Sequence, residues 1–241
     1  SEGPLEKVAD WKMHHARLGA AAAVLGDHLY VFGGSGGAAP IHQAERVDLR
    51  TGQSELLTAR FLARRFHQVV EHEGKFWILG GQSYGRGDTM HEPAVEIYDP
   101  ATNTVTRAAD WPDPRGRAGA VKLGTDVLVI GGSRHVRSGA YTQTNTVQIL
   151  DLTTGTWREG PPMPTPREAP AVLVGQFALV AGGYSRGNKH DAVEMFVPAE
   201  QGWKKLPKLG RTISAHSAAV LGRWLFLFGD FDDGSTVLAY E

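Results

Sequence analysis

The stretch Phe76-Trp-Ile-Leu-Gly-Gly81 decides the fold, because the chain repeats its pattern of an apolar run that ends in a glycine step. The first glycines of successive steps lie 47 or 51 residues apart. A period of this size over the whole length indicates a repeat architecture. The five steps are Gly33-Gly34, Gly80-Gly81, Gly131-Gly132, Gly182-Gly183 and the degraded copy Gly229-Asp230.

Each repeat contains four short runs of strand length, which we name strands A to D. In the second repeat, Phe66–Val70 precedes the apolar run, and Val95–Asp99 and Thr104–Arg107 follow it. Turn residues separate these runs, for example at Glu73-Gly74. Such spacing predicts antiparallel strands joined by hairpins, and no window has helical periodicity.

The composition of strands A and B predicts how the repeats are arranged. Strand A is rich in small residues, as in Gly19–Val24, which suits strands that converge on an axis. Strand B is apolar in every repeat, which suits a strand covered on both faces by neighbouring sheets. We therefore predict an all-β propeller with five blades of four antiparallel strands. The predicted blades span residues 16–60, 63–112, 115–164, 167–209 and 213–241, the last together with residues 6–13.

These features resemble the kelch repeat over nearly the whole chain. The matching features are the double glycine that ends strand B, the aspartate that closes strand C, the tryptophan that opens strand D and the Pro-Arg step before strand A. Examples are Asp99, Trp157 and Pro166-Arg167. The resemblance implies a five-bladed kelch-type β-propeller that forms one domain over residues 1–241.

The two ends of the chain predict how the ring closes. The last repeat stops after strand C at Thr236–Tyr240 and lacks a strand D. The segment Val8–Met13 carries Trp11, which we assign to the tryptophan position of strand D. We therefore expect the N-terminal strand to complete the last blade as its outermost strand.

Composition excludes several classes of function. The chain has 241 residues, 41% hydrophobic content and a formal net charge of −1. It contains no cysteine, so disulfides, thiolate metal sites and cysteine nucleophiles are excluded. No apolar stretch approaches the roughly 20 residues of a membrane span. We expect a monomer with no metal or cofactor, no nucleic-acid partner and no membrane insertion.

Basic residues concentrate on one face of the predicted propeller, where the D-to-A and B-to-C connections emerge. A concave cluster of cations favours anionic ligands. We name this side the mouth face. Its cations are Arg17, Arg60, Arg64, Arg65, Arg86, Arg115, Arg117, Arg134, Arg137, Arg167, Lys189, Arg186 and Arg211.

Position relative to the glycine steps separates structural residues from candidate ligand residues. Arg17, Arg64 and Arg115 precede their glycine steps by the same interval, so we expect them to brace neighbouring blades. His67 and His216 also share one register, and we interpret them as structural. The long B-to-C loops supply most of the remaining candidates. The predicted ligand-binding residues are Arg65, Tyr84, Arg86, His91, Arg117, Arg134, His135, Arg137, Tyr141, Tyr184, Arg186, His190 and Phe231.

Three functions remain open from the sequence. The first is a non-catalytic module that binds an acidic peptide, a protein segment or an acidic glycan on the mouth face. The second is a small-sugar isomerase, because kelch-type sialic acid mutarotases would use an arginine near an acid or histidine. The third is a structural propeller within a larger assembly. We expect a binding module rather than an enzyme, and no catalytic residue is assigned.

The source and compartment are expectations from the resemblance. Bacterial kelch proteins similar to this chain are often exported, and a start at Ser1 without an initiator methionine is compatible with a processed leader. We therefore expect a bacterial protein of the periplasm or the extracellular space.

Overall fold

The chain folds as a five-bladed β-propeller. The structure, a computed structural model, describes residues 10–37, 40–85, 88–136 and 140–241, with the backbone alone at residues 84, 85 and 88. In these ranges the regular elements are antiparallel strands, apart from one turn of 3-10 helix at Pro198–Glu200. The predicted all-β class, five blades and kelch-type architecture are confirmed.

The first two blades are four-stranded, in the order A-B-C-D from the axis outward. The strands of blade one are β1 (Ala21–Leu25), β2 (His28–Phe32), β3 (Glu45–Asp48) and β4 (Ser54–Leu56). The strands of blade two, with the hairpin β7–β8 inserted between B and C, are β5 (Gln68–His72), β6 (Lys75–Leu79), β7 (Gln82–Gly85), β8 (Asp88–His91), β9 (Glu96–Asp99) and β10 (Thr104–Arg107).

Blades three and four have the same order and each carry a B-to-C hairpin, whereas blade five has three described strands. Blade three contains β11 (Gly119–Leu123), β12 (Asp126–Ile130), β13 (Ser133–His135), β14 (Tyr141–Gln143), β15 (Val147–Asp151) and β16 (Trp157–Gly160). Blade four contains β17 (Ala171–Val174), β18 (Phe177–Ala181), β19 (Tyr184–Ser185), β20 (Asn188–Lys189), β21 (Val193–Val197) and β22 (Gly202–Leu206). Blade five contains β23 (Ser217–Leu221), β24 (Trp224–Phe228) and β25 (Val237–Tyr240).

The hydrophobic core consists of layers between consecutive blades. Alternate residues of strand B point to opposite faces of the sheet. We call the face toward the next blade the front and the other face the rear. Tyr30 and Phe32 on the front of β2, for example, pack with Phe76 and Ile78 on the rear of β6. Similar clusters join blades two and three, three and four, and four and five.

The glycine step is required where strand B meets the next blade. Gly80 has φ +64° and Gly81 has φ +91°, a region that residues with a Cβ rarely adopt. A Cβ on Gly80 would lie 2.5 Å from the indole ring of Trp111 and 2.8 Å from the carbonyl oxygen of Arg115. The repeated glycines therefore satisfy a backbone conformation and a close approach between blades.

The arginines in step with the glycines are structural. Arg64 is 1% exposed, and its guanidinium donates to the carbonyls of Gly80 and Ala94 and to Glu96 Oε2 at 2.9 Å. Arg17, which shares the position of Arg64, and Arg167, which is one residue closer to its glycine step, make equivalent ion pairs with Glu45 and Glu194. Each of these arginines ties the start of its strand A to strands B and C of the same blade, whereas the sequence predicted a brace between neighbouring blades. We call these buried arginine and glutamate pairs the arginine layer.

The N-terminal segment differs from the expected closing strand. Of the predicted strand at residues 6–13, residues 6–9 lie outside the described residues, and residues 10–13 belong to no strand. The Trp11 ring lies against Gly52 of blade one, and the backbone N–H groups of His14 and His15 donate to Glu45. Trp11 is therefore not the tryptophan of a strand D in blade five.

Candidate functional site

Three hairpins stand on the mouth face. The hairpins β7–β8, β13–β14 and β19–β20 extend strand B beyond the glycine step in blades two, three and four. Hairpins β7–β8 and β13–β14 meet where the backbone N–H of His135 donates to His91 Nε2 at 2.5 Å. Burial lowers the pKa of His91, and nearby His135 and Arg134 lower it further. His91 therefore acts as an acceptor that links two blades.

The mouth face carries less free positive charge than the sequence suggests. The arginine layer accounts for three of its cations. Arg134 pairs with Asp113, and Lys189 contacts Asp230 and Asp232 at 2.8 and 2.5 Å. Acids of strand C account for most of the difference between the predicted and the observed positive charge. Glu45, Glu96 and Glu194 lie on strands, so a count of charged loop residues omits them. The prediction that the mouth face is basic throughout is therefore corrected: positive charge is concentrated in part of that face.

Two arginines and two tyrosines meet between the hairpins of blades three and four. They line a cavity of about 210 Å³ that we call the mouth pocket. Four predicted site residues from three stretches of the chain thus come together there. The lining residues are Arg117, Tyr141, Gln143, Glu168, Tyr184, Arg186 and Gly187.

Arg117 is held at the inner end of the pocket by aromatic rings. Its guanidinium carbon lies 4.4 Å from the centroid of Phe66 and 5.0 Å from that of Tyr141, within the range of cation–π attraction. Its own backbone is left-handed, with φ +57°, and its N–H donates to the carbonyl of Phe66 at 3.0 Å. This local geometry turns the side chain toward the pocket rather than into the arginine layer.

A carboxylate and an amide connect the two sides of the pocket. Glu168 Oε1 lies 3.6 Å from Arg117 Nη1 and accepts a hydrogen bond from Gln143 Nε2 at 3.2 Å. Gln143 Oε1 in turn accepts the backbone N–H of Arg186 at 3.2 Å. Gln143 therefore links hairpin β13–β14 to hairpin β19–β20, which fixes the separation of the pocket walls.

Arg186 stands at the tip of a two-residue turn. Arg186 and Gly187 both have positive φ, +48° and +82°, as a type I′ hairpin turn requires. Asn188 Nδ2 donates to the carbonyl oxygen of Arg186 at 3.0 Å and stabilises the turn. The Arg186 residue is exposed. A rigid turn therefore presents this guanidinium at the rim of the pocket.

The other predicted site residues are spread over the mouth face. Arg65 lies over the Phe66 ring, His135 packs edge-on against Tyr141, and His190 Nε2 lies 2.8 Å from Ser185 Oγ. Phe231 is 78% exposed in the last B-to-C loop. Arg86 and Arg137 lie outside the described residues, as does the side chain of Tyr84.

Phe66, Gln143 and Glu168 were not among the predicted ligand-binding residues, although the sequence had already placed Glu168 among the acids of the mouth face. Phe66 and Arg117 precede their glycine steps by the same interval, and both have left-handed backbones. The contact between blades that brings these residues together had no sequence signal.

Within the described residues, no group of three or more His, Cys, Asp or Glu side chains is placed to hold a metal ion. In the same part of the chain, no helix is long and apolar enough to cross a membrane.

Comparison with known proteins points to one family. The profile described as the KLHDC2/KLHL20/DRC7 Kelch-repeats domain matches residues 19–230. The chain is 27% identical to acyl-CoA-binding domain-containing protein 4 of Arabidopsis thaliana over 249 residues, which cover 91% of this chain and 36% of that protein. It is 26% identical to Kelch repeat and BTB domain-containing protein 12 of Danio rerio over 204 residues, which cover 77% of this chain and 33% of that protein.

These relatives place limits on the comparison. The chain spans about a third of the length of each of them. They are plant and animal proteins, so they give no support to the expected bacterial source or to export from a bacterial cell. Nothing in their names supports carbohydrate binding by this chain.

Proposed function

Because this chain belongs to the kelch-repeat family of β-propellers, we propose that it is a protein-interaction module whose mouth pocket binds an acidic segment of a partner protein. The observation that carries this proposal is the meeting of Arg117, Arg186, Tyr141 and Tyr184 in one cavity. Arginine and tyrosine are, with tryptophan, the residue types enriched among the interface residues that contribute most to binding.

The size of the pocket favours a peptide over a small-molecule substrate. Sites that enclose a drug-sized ligand have volumes of roughly 300 to 1,000 Å³. The mouth pocket has about 210 Å³, which accommodates one or two side chains. A protein segment would insert such side chains while its backbone lies across the hairpins.

The charge of the pocket favours a carboxylate. Arg117 and Arg186 bring two guanidinium groups, and Glu168 neutralises part of the charge of Arg117. A planar guanidinium can bind a carboxylate through two parallel hydrogen bonds. The rings of Tyr141 and Tyr184 offer apolar contact to the neighbouring residues of the segment, together with phenol donors.

Fluorescence anisotropy with labelled peptides tests this function. The probes are peptides with Asp or Glu at their centre, each paired with its Asn or Gln counterpart. We expect the Arg117→Ala and Arg186→Ala double variant to bind acidic peptides at least about tenfold more weakly, with a Tm lowered by no more than about 4 °C. Arg50→Ala is the matched control, because Arg50 is 70% exposed on the opposite face.

Two outcomes would contradict the proposal. Equal affinity for the acidic and amide peptides would show that charge is not recognised. Acceleration of sialic acid anomer exchange, lost on Glu168→Gln, would instead favour the small-sugar isomerase. Affinity for the acidic peptides should also fall as salt rises, since exposed charges are screened.

A further inference from the structure

The arginine layer lacks one carboxylate, in blade three. Arg115 is the arginine of this blade, but Gln148 occupies the strand C position where blades one, two and four have a glutamate. A neutral amide therefore replaces the carboxylate that pairs with the arginine elsewhere. The complete pairs are Arg17 with Glu45, Arg64 with Glu96 and Arg167 with Glu194.

The guanidinium of Arg115 is buried with only part of its hydrogen bonds made. Arg115 is 1% exposed, and its Nη1 donates to Thr146 Oγ1. Its Nε and Nη2 make no hydrogen bond within the described residues. In blade four, by contrast, Arg167 donates from all three nitrogens, to Glu194 and to backbone carbonyls. A buried charged donor without an acceptor is costly, so Arg115 requires a further acceptor.

Positive charge exceeds negative charge around Arg115. Asp113 Oδ2 lies 3.6 Å from Arg115 Nη1, which is longer than a hydrogen bond, and the same carboxylate pairs with Arg134. Two guanidinium groups thus share one carboxylate. Burial lowers the pKa of Arg115 to about 10, so the side chain is still charged at neutral pH. The partner that is lacking at this position is therefore an anion.

A cavity of about 180 Å³ lies beside the two polar residues that contact Arg115. Asp113 and Thr146 line it, together with Gln148 and Glu159. A water molecule takes up roughly 30 Å³ in the liquid, so the cavity has room for a small ion and a few water molecules. Glu159 is exposed, so water and salt screen its charge. We call this space the blade-three cavity.

We propose that the blade-three cavity binds a small monovalent anion of the size of chloride, which accepts hydrogen bonds from Arg115 and replaces the carboxylate that the other blades supply. Gln148 suits this role, because its Oε1 accepts the indole N–H of Trp111 while its Nε2 remains a donor. The cavity shares no lining residue with the mouth pocket, so this site is independent of the proposed function.

Thermal unfolding at constant sodium concentration and ionic strength tests the proposal. Sodium gluconate, whose anion is too large for the cavity, is replaced stepwise by sodium chloride. We expect the Tm to rise by about 2 to 4 °C at about 150 mM chloride, because an anion that binds only the folded chain stabilises it. Gln148→Glu supplies a carboxylate at the cavity and should lose this response. Gln53→Glu is the matched control, because it adds the same charge at an exposed position of blade one and should keep the response.

Bromide, which scatters anomalously, locates the ion. Crystals of the original chain grown in sodium bromide should show an anomalous difference peak beside the Arg115 guanidinium. Crystals of Gln148→Glu grown in the same salt should show no peak there.

Three results would overturn the proposal. Equal Tm values in chloride and gluconate would show that the folded chain binds no specific anion. An undiminished chloride response in Gln148→Glu would place the anion elsewhere. A water molecule without anomalous signal beside Arg115 in the bromide crystals would show that the guanidinium is hydrated instead. Peptide binding measured in the gluconate buffer shows whether the proposed function fails separately.

Discussion

Arg64 and Arg117 lie on the same face of neighbouring blades but differ in burial and in the groups they contact. Arg64 is buried, donates to two carbonyls and pairs with Glu96, whereas Arg117 is 31% exposed in its side chain and rests between two rings beside Glu168. Their positions differ by two residues relative to the glycine step. Residue type therefore does not separate a buried structural arginine from one that lines the mouth pocket, and the left-handed backbone at Arg117 does.

The largest expected effect comes from breaking the arginine layer. Arg64→Ala would leave Glu96 buried without its partner, and we expect a loss of about 4 kcal/mol in the free energy of unfolding. Arg117→Ala should cost less than about 1 kcal/mol, because a partly exposed pair contributes little. Urea unfolding measures both. Equal losses would show that Arg117 is also structural.

The glycine step provides the next test. Gly80→Ala combines a positive φ with a Cβ that meets Trp111 and Arg115, and we expect a loss of about 3 kcal/mol. Gly74→Ala has a similar φ of +76° but open space around the Cβ, so about 1 kcal/mol is expected. If the two variants unfold at the same urea concentration, the close approach between blades is not what requires Gly80.

Acid should destabilise the fold through His67, which is buried directly before strand A of blade two. Burial lowers the pKa of His67 to about 3, from an ordinary value of 6.5. The unfolded chain takes up a proton below pH 6.5, and the folded chain does not. The contribution of neutral His67 to the free energy of unfolding is therefore fully present above pH 6.5. It falls by at most about 1.4 kcal/mol per pH unit between pH 6.5 and 3.

The variant His67→Gln isolates this effect. Urea unfolding between pH 7 and pH 4.5 should show a shallower loss of stability for His67→Gln than for the original chain. His28→Gln, at a partly exposed histidine of blade one, should keep the original slope. An unchanged slope in His67→Gln would mean that other groups cause the acid sensitivity.

The smallest effect should come from restoring the arginine layer in blade three. Gln148 stands where the other blades have Glu45, Glu96 and Glu194. Arg115 is buried there, with Asp113 at 3.6 Å, and burial lowers its pKa to about 10. Gln148→Glu should therefore raise the free energy of unfolding by about 1 kcal/mol, seen as a Tm rise of about 2 to 4 °C. A fall would show that the amide, which contacts Trp111, is the better partner.

The sequence predicted the fold better than the site. The glycine steps and apolar strands predicted five blades, since each strand B has to be covered on two faces. The in-step position of Arg64 correctly predicted a structural role. Trp11 was wrongly assigned to a strand D, because tryptophan occurs both at the start of strand D and in the D-to-A connection, as at Trp111.

The charge of the mouth face shows why the site was harder. The arginines were visible as loop residues, but their partners Glu45 and Glu96 lie on strand C, far along the chain. Glu45 and Glu96 each lie three residues before the aspartate that ends strand C, Asp48 and Asp99. This recurring position could have identified them as the partners of the arginines. No equivalent spacing announces the contact between Arg117 and Glu168, which belong to different blades.

The sequence by itself determined the repeat, the strand order and the structural arginines of the first three blades, because these depend on local spacing and on burial that recurs with the period. Tertiary structure alone decided that Arg117, Tyr141 and Arg186 share one cavity. This outcome depends on how separate blades stand against one another. Such contacts between distant segments do not recur with the period of the repeat, so the sequence pattern does not reveal them.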